Sequence, residues 1–400
     1  MYKLIAALAV IFPAGAFAAT ASGEYIARIS DCVACHTQEG GEEMAGGKRF
    51  HTPLGDIFST NITPDAQQGI GAYTYDDFEK AVRKGVARDG HYLYPAMPYP
   101  SYAKMKEEDI RSMYDYFMHD VKPSAQANIP SEIPWVLSPR WPLRIWNWMF
   151  TGEGDKRASD PAKPPQESAV ERGQYLVEGP GHCGACHTPR GIGLQEKAYD
   201  SADPLFLSGA TIDGWYAPSL RTLTLSDREL QDLIRYGRSQ HSAVAGPMSE
   251  VITHSTQYLT DEDLGSISAY LRSLNKTPQV NRVASPVTKA ETRSSGETLY
   301  LRYCSTCHTM EGKGKDYNVP SLVDNAAVKA ADPSNLIRVI AFGAETPVTK
   351  GNIPYRMPAY QEEMTDRQLR DVVNYVRGQW GENAEPVTQQ RITDIVSGKH

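Results

Sequence analysis

Cys-X-X-Cys-His occurs three times in this chain, and the three copies use all six of its cysteines. They are Cys32-Val-Ala-Cys35-His36, Cys183-Gly-Ala-Cys186-His187 and Cys304-Ser-Thr-Cys307-His308. The spacing is the attachment signature of c-type haem. Two thiols three positions apart can each form a thioether to one vinyl group of a single porphyrin. The adjacent histidine then lies under the iron as proximal ligand. A single copy could belong to a zinc or thiol-redox site. Three copies, each with its histidine and with no cysteine left over, point to three covalently bound haem c groups.

The other features agree with an exported electron carrier. Met1-Tyr2-Lys3, the apolar run Leu4–Phe12 and Ala16-Phe17-Ala18 read as a cleaved signal peptide over residues 1–18, too short to span a bilayer. The periplasm is therefore the expected compartment. Hydrophobic residues make up 40% of the chain and the net charge is −7, which excludes nucleic acid as the natural partner. With every thiol committed to haem, structural disulfides are excluded.

A repeat underlies the motifs. A glycine followed shortly by a tyrosine precedes each one: Gly23 and Tyr25, Gly173 and Tyr175, Gly296 and Tyr300. A late amphipathic helix follows each one, carried by Ile110, Met113 and Phe117, by Leu264, Ile267 and Leu271, and by Leu369, Val372 and Val376. Thr260 and Thr365 stand where N-caps would start the second and third of these helices. Each early helix is expected to pack on the late helix of its own unit. The units are placed at 20–122, 167–276 and 290–382, separated by a Pro/Trp-rich linker at 123–166 and a short linker at 277–289. The tail at 383–400 reads as polar and frayed.

A six-coordinate electron-transfer haem needs a second axial ligand, and methionine raises the potential. Met97, Met248 and Met357 each lie beside a proline, in segments expected to be extended rather than helical. The interval from His36 to Met97 equals that from His187 to Met248. Met105, Met113, Met118 and Met364 sit in or beside helical patterns and read as packing. His91 and His241 are the rival distal ligands of the first two units. Each proximal histidine also needs an acceptor for its free ring N–H. Pro320 and Pro218 supply carbonyls for His308 and His187, whereas Ile62-Thr63-Pro64 is a weak match for His36. Tyr92, Tyr94, Tyr99 and Tyr102 read mainly as packing residues.

Each unit resembles class I cytochrome c, so the expected fold is mainly α, with three tandem class I cytochrome c-like domains and one haem on each. The whole chain is similar to something narrower. Ser59-Thr-Asn-Ile-Thr-Pro64, Gly69-Ile-Gly71, Tyr94-Pro-Ala-Met-Pro-Tyr-Pro-Ser-Tyr102 and the three-unit order resemble the triple-haem cytochrome subunits of bacterial membrane-associated dehydrogenases. That resemblance implies a periplasmic electron-transfer subunit without a substrate site of its own. Its partner would be a catalytic dehydrogenase subunit, a flavoprotein first, with quinoprotein and molybdenum types as alternatives. Ubiquinone or a terminal oxidase would accept the electrons. The axial roles carry over to His36 with Met97, His187 with Met248 and His308 with Met357. Family members are often tethered by a hydrophobic C-terminal segment, and the polar end of this chain departs from that pattern. Trp135–Phe150, with four tryptophans, Arg140 and Arg144, is expected to clasp the first two units. Peripheral contact with the inner membrane and docking to the catalytic subunit are its alternatives. A freely diffusing carrier and a peroxidase- or thiosulfate-oxidising-type haem enzyme are the competing functions.

Overall fold

The computed structural model describes residues 21–134, 139–151, 167–275, 290–315, 318–382 and 384–398. The signal segment, Trp135, the stretch 152–166 and the second linker lie outside the described residues.

One order of elements recurs three times. An early helix (Gly23–Ile29, Ala169–Glu178, Ala290–Tyr303) leads into a short helical turn that carries Cys-X-X-Cys-His (Cys32–His36, Gly184–His187, Ser305–His308). A middle helix follows (Tyr75–Lys84, Asp227–Tyr236, Ser334–Phe342), and a late helix closes the unit (Glu107–His119, Asp261–Leu274, Asp366–Trp380). Among the described residues, sheet is confined to three two-stranded antiparallel hairpins: Arg49–Thr52 with Gly55–Phe58, Ala210–Ile212 with Trp215–Ala217, and Ala344–Glu345 with Arg356–Met357.

Early and late helices cross at a glycine in every repeat. A Cβ on Gly23 would overlap the Ser112 carbonyl oxygen, one on Gly173 that of Ser266, and one on Gly296 that of Asp371. Backbones this close leave no room for a side chain, which is why glycine stands there three times. Tyr116, Tyr270 and Tyr375 flank the same crossings. Thr260 and Thr365 cap the second and third late helices as expected, accepting from the N–H groups of Asp263 and Gln368. The anticipated apolar stripes face inwards: Ile110, Met113 and Phe117, Leu264 and Leu271, and Leu369, Val372 and Val376 are all buried. Met105, Met113 and Met364 are buried core residues too, as their helical surroundings implied.

The first two repeats share one continuous hydrophobic core, while the third has its own. Contact between the second and third repeats is mostly polar. Asn335 exchanges two hydrogen bonds with the backbone of Tyr216, and Arg238 reaches Asn352 and the Ile353 carbonyl.

Three expectations are corrected. Tyr300 is not the counterpart of Tyr25 and Tyr175. It is fully buried and donates to the Thr309 carbonyl of its own unit, whereas the residue two places after Gly296 is Thr298. The C-terminal tail is not frayed over its described part. Gln389–Val396 forms a helix capped by Thr388, and its Ile392 and Ile395 are buried against the third core. Met248 does not lie in an extended segment. It occupies the first turn of a helix, Pro247–His254, because proline's fixed φ suits a helix start as well as an extended strand.

Candidate haem attachment sites

Each Cys-X-X-Cys-His turn holds its histidine in one way. The ring Nδ1–H of His36 donates to the Thr60 carbonyl at 2.7 Å, that of His187 to the Pro218 carbonyl at 2.7 Å, and that of His308 to the Pro320 carbonyl at 3.2 Å. A proton fixed on Nδ1 leaves the Nε2 lone pair free. Burial lowers the pKa of all three rings, which favours the neutral, ligating form.

The acceptors of His187 and His308 are the prolines expected from sequence. That of His36 is Thr60 rather than any atom of Ile62-Thr63-Pro64. Thr60 fills the proline's place, and the residue two positions on is apolar in each case: Ile62, Leu220 and Leu322. Asn61 keeps Thr60 in position. Its side chain donates to the carbonyls of Ser124 and Gln126 and accepts from the N–H and hydroxyl of Thr63. Without proline to stiffen it, the first segment is pinned by this buried amide.

The cysteines are unpaired; five are half-buried and Cys307 is exposed. Burial pushes Cys32, Cys35 and Cys183 up to about 12 and Cys304 to about 11. A redox-active thiol needs the opposite, a lowered pKa in an electropositive setting. Among the described residues no three His, Cys, Asp or Glu side chains converge as a zinc site requires. The donor set therefore fits haem c: paired thiols and a neutral imidazole steered by a backbone carbonyl.

Met97, Met248 and Met357 are all partly buried. Met97 sits in a turn before the short helix Tyr99–Tyr102 and packs on the shared core. Met357 is held in its hairpin opposite Ala344 and packs on the third core. Gly343 (φ 75°) precedes that hairpin, where a side chain would press on the Met357 carbonyl. The rival histidines are engaged elsewhere. His91 meets the Asp89 carboxylate at 2.5 Å on the surface, and His241 meets Glu229 at 2.5 Å.

The approaches to the first two attachment turns lie close together: the Tyr102 hydroxyl donates to the Ser30 carbonyl at 2.6 Å, and the Tyr102 ring meets the His182 ring edge-on at 5.6 Å. Asp31 and His182 enter the two turns in the same left-handed conformation (φ 56° and 34°). The tryptophan-rich helix Trp141–Phe150 touches both units at this junction, and none of its residues is fully buried, unlike the buried clasp expected. Asn147 accepts from the Tyr99 hydroxyl of the first unit, and Trp146 Nε1 donates to the Gly193 carbonyl of the second. Arg140 stacks on Tyr94 at 3.7 Å and donates to the Tyr92 carbonyl.

Comparison with known proteins agrees with this geometry. Residues 170–275 match the family model "Cytochrome c", and residues 291–376 match "Cytochrome C oxidase, cbb3-type, subunit III". The chain is 45% identical to the gluconate 2-dehydrogenase cytochrome c subunit of Pantoea cypripedii, over 91% of this chain and 86% of that one. It is 44% identical to the cytochrome c subunit of alcohol dehydrogenase (quinone) from Gluconobacter oxydans, over 90% of this chain and 78% of the relative. It is 35% identical to the fructose dehydrogenase cytochrome subunit of Gluconobacter japonicus, over 94% and 82%.

Proposed function

This chain belongs to the dehydrogenase cytochrome c subunits, the family of the gluconate 2-dehydrogenase and quinone alcohol dehydrogenase subunits, and from that premise we propose that it is a periplasmic electron-transfer subunit with three covalent haem c groups, one for each Cys-X-X-Cys-His turn. The observation that carries the count is the histidine–carbonyl bond, made by His36, His187 and His308 alike. Three unit boundaries follow, at 20–122, 167–276 and 290–382.

Haem c supplies reversible one-electron transfer at iron. The chain supplies the rest. Cys32 with Cys35, Cys183 with Cys186, and Cys304 with Cys307 offer the thioether sulfurs. His36, His187 and His308 offer Nε2 from the proximal side. Met97, Met248 and Met357 would offer a thioether sulfur to the iron, and a methionine ligand would raise the potential relative to a second histidine.

The catalytic partner in this reading is a dehydrogenase subunit, a flavoprotein before a quinoprotein or molybdenum subunit. Ubiquinone or a terminal oxidase takes the electrons onwards. Two measurements test it. The pyridine haemochrome and the intact mass of the mature protein should both give three haems per chain, and two would refute the count. A tagged chain purified from gently solubilised cells should bring a stoichiometric dehydrogenase subunit with it, and a haem-loaded chain that elutes alone would point to a diffusing carrier.

A further inference from the structure

The helix Trp141–Phe150 rests on the protein by one face, which is only half-buried. Asn147 and Trp146 point into the junction, whereas Trp141, Ile145, Trp148 and Met149 point out. These four lie at i, i+4, i+7 and i+8, a single stripe of the helix. Trp148 is 74% exposed. The loop beside the stripe repeats the feature. Gly191-Ile192-Gly193-Leu194 touches the helix through Gly193, and it carries Ile192, the most exposed large apolar side chain among the described residues at 104%, together with exposed Leu194. A water-soluble surface seldom gathers so many large apolar groups in one place without use.

The charges around this ridge are one-sided. From Pro139 to Thr151 and from Thr188 to Lys197 the ionisable residues are Arg140, Arg144, Arg190, Lys197 and Glu196. Glu196 is buried, and Arg140 and Arg190 are half-buried and bonded to backbone carbonyls, so the charged groups of these two segments that face outwards are Arg144 and Lys197, both basic on a chain whose net charge is −7. Tryptophan with flanking arginine is the side-chain pair suited to the headgroup region of a bilayer, and a helix of ten residues can lie along that region but cannot cross it. Among the described residues no helix is long and apolar enough to cross a membrane.

We propose that the outer face of Trp141–Phe150 and the tip of the 190–194 loop together insert into the headgroup region of an anionic phospholipid bilayer, and so hold the first two units against the membrane. The cost of exposing the apolar stripe is recovered when it enters lipid. The exposed Arg144 and Lys197 are the groups that meet phosphate headgroups at its rim.

The test is flotation of the full-length, haem-loaded protein with vesicles of phosphatidylcholine alone and of phosphatidylcholine with phosphatidylglycerol. The protein should float with the anionic vesicles and much less with the neutral ones. The double variant Trp148→Ser, Ile192→Ser should lose at least ten-fold in bound fraction while its haem spectrum stays unchanged, since neither side chain is packed. Failure of the wild type to bind anionic vesicles would overturn the proposal, as would a double variant that floats like the wild type. Unchanged flotation with loss of the catalytic subunit in detergent would also overturn it, and would make the ridge a protein interface. The haem spectrum and partner purification are read separately, so a failed flotation leaves the electron-transfer assignment standing.

Discussion

Tyr25 of the first repeat donates its hydroxyl to the carboxylate of Asp263 on the late helix of the second. The second repeat returns the bond, from Tyr175 to Asp109. Even the accessory contacts correspond: the Thr260 N–H reaches the Tyr25 oxygen at 3.4 Å, and the Lys106 N–H reaches the Tyr175 oxygen at 3.3 Å. Each tyrosine thus binds the first turn of the other unit's late helix. An exchange of this kind is what a two-fold dimer interface makes, here between two units of one chain. The third repeat carries Thr298 and Gln368 at the corresponding positions, and it docks by another surface. The three units are therefore a pair plus one.

The two halves of the exchange should differ in strength. Asp263 also receives the Arg172 guanidinium at 2.8 and 2.9 Å, which holds its carboxyl low even after a tyrosine is lost. Asp109 is buried and already pushed up by desolvation despite Tyr175. Tyr25→Phe should cost about 1 kcal/mol and Tyr175→Phe about 2–3 kcal/mol, because the second leaves a buried acceptor unpaired. Denaturant unfolding followed at the haem bands should give that order, and equal costs would contradict it.

The helix crossings give a paired test among glycines. Gly173→Ala drives a methyl into the Ser266 carbonyl and should destabilise by more than about 3 kcal/mol, if the second unit matures at all. Gly265 lies on the helix that Gly173 crosses, but a Cβ there meets nothing within 4 Å. Gly265→Ala should stabilise by about 0.5–1 kcal/mol, the ordinary gain of alanine over glycine in a helix. Thermal unfolding of the two variants separates a packing glycine from an idle one.

How far the sequence could be read follows the range of the interactions. Local features were legible: the attachment turns, the Thr260 and Thr365 caps and the apolar stripes all lie within a short window, while the Pro218 and Pro320 acceptors, 31 and 12 residues beyond their histidines, were marked by a recurring Pro-Ser-Leu. Thr60 was missed because a backbone carbonyl has no side-chain signature once proline is absent, although the apolar Ile62 two residues on was a usable sign. The helix at the C-terminus had its signal too, with Thr388 as cap and Ile392 and Ile395 three apart, but polar neighbours masked it. The Tyr25–Asp263 exchange was beyond reach, because it joins residues more than two hundred positions apart and depends on how whole units dock.

Met357→Ala tests the distal assignment in the third unit, where the strand pairing with Ala344 holds the methionine and Gly343 clears its path. On the proposed assignment, the haem of the third turn should become high-spin with a lowered potential while staying attached. Electron paramagnetic resonance and a redox titration read this directly, and an unchanged spectrum would assign the ligand elsewhere. Asn61→Ala should act on the first haem alone, by loosening the Thr60 carbonyl that orients His36, at a cost of about 2–3 kcal/mol for the buried partners it strands.

Glu196 sets a pH dependence. It is buried close to Gly184 in the second attachment turn, with one carboxylate oxygen unpartnered, and burial raises its pKa from 4.5 to about 7. Between those values the folded protein keeps the proton that the unfolded chain has released. Stability therefore falls as pH rises from about 4.5 to about 7, and the full penalty, at most about 3 kcal/mol, is carried above that range. Glu196→Gln keeps the shape and removes the titration. Its melting temperature should change less than that of the wild type between pH 5 and pH 8, and the variant should be the more stable protein at pH 8. Parallel melting curves for the two proteins across that interval would show that Glu196 is ionised in the fold throughout.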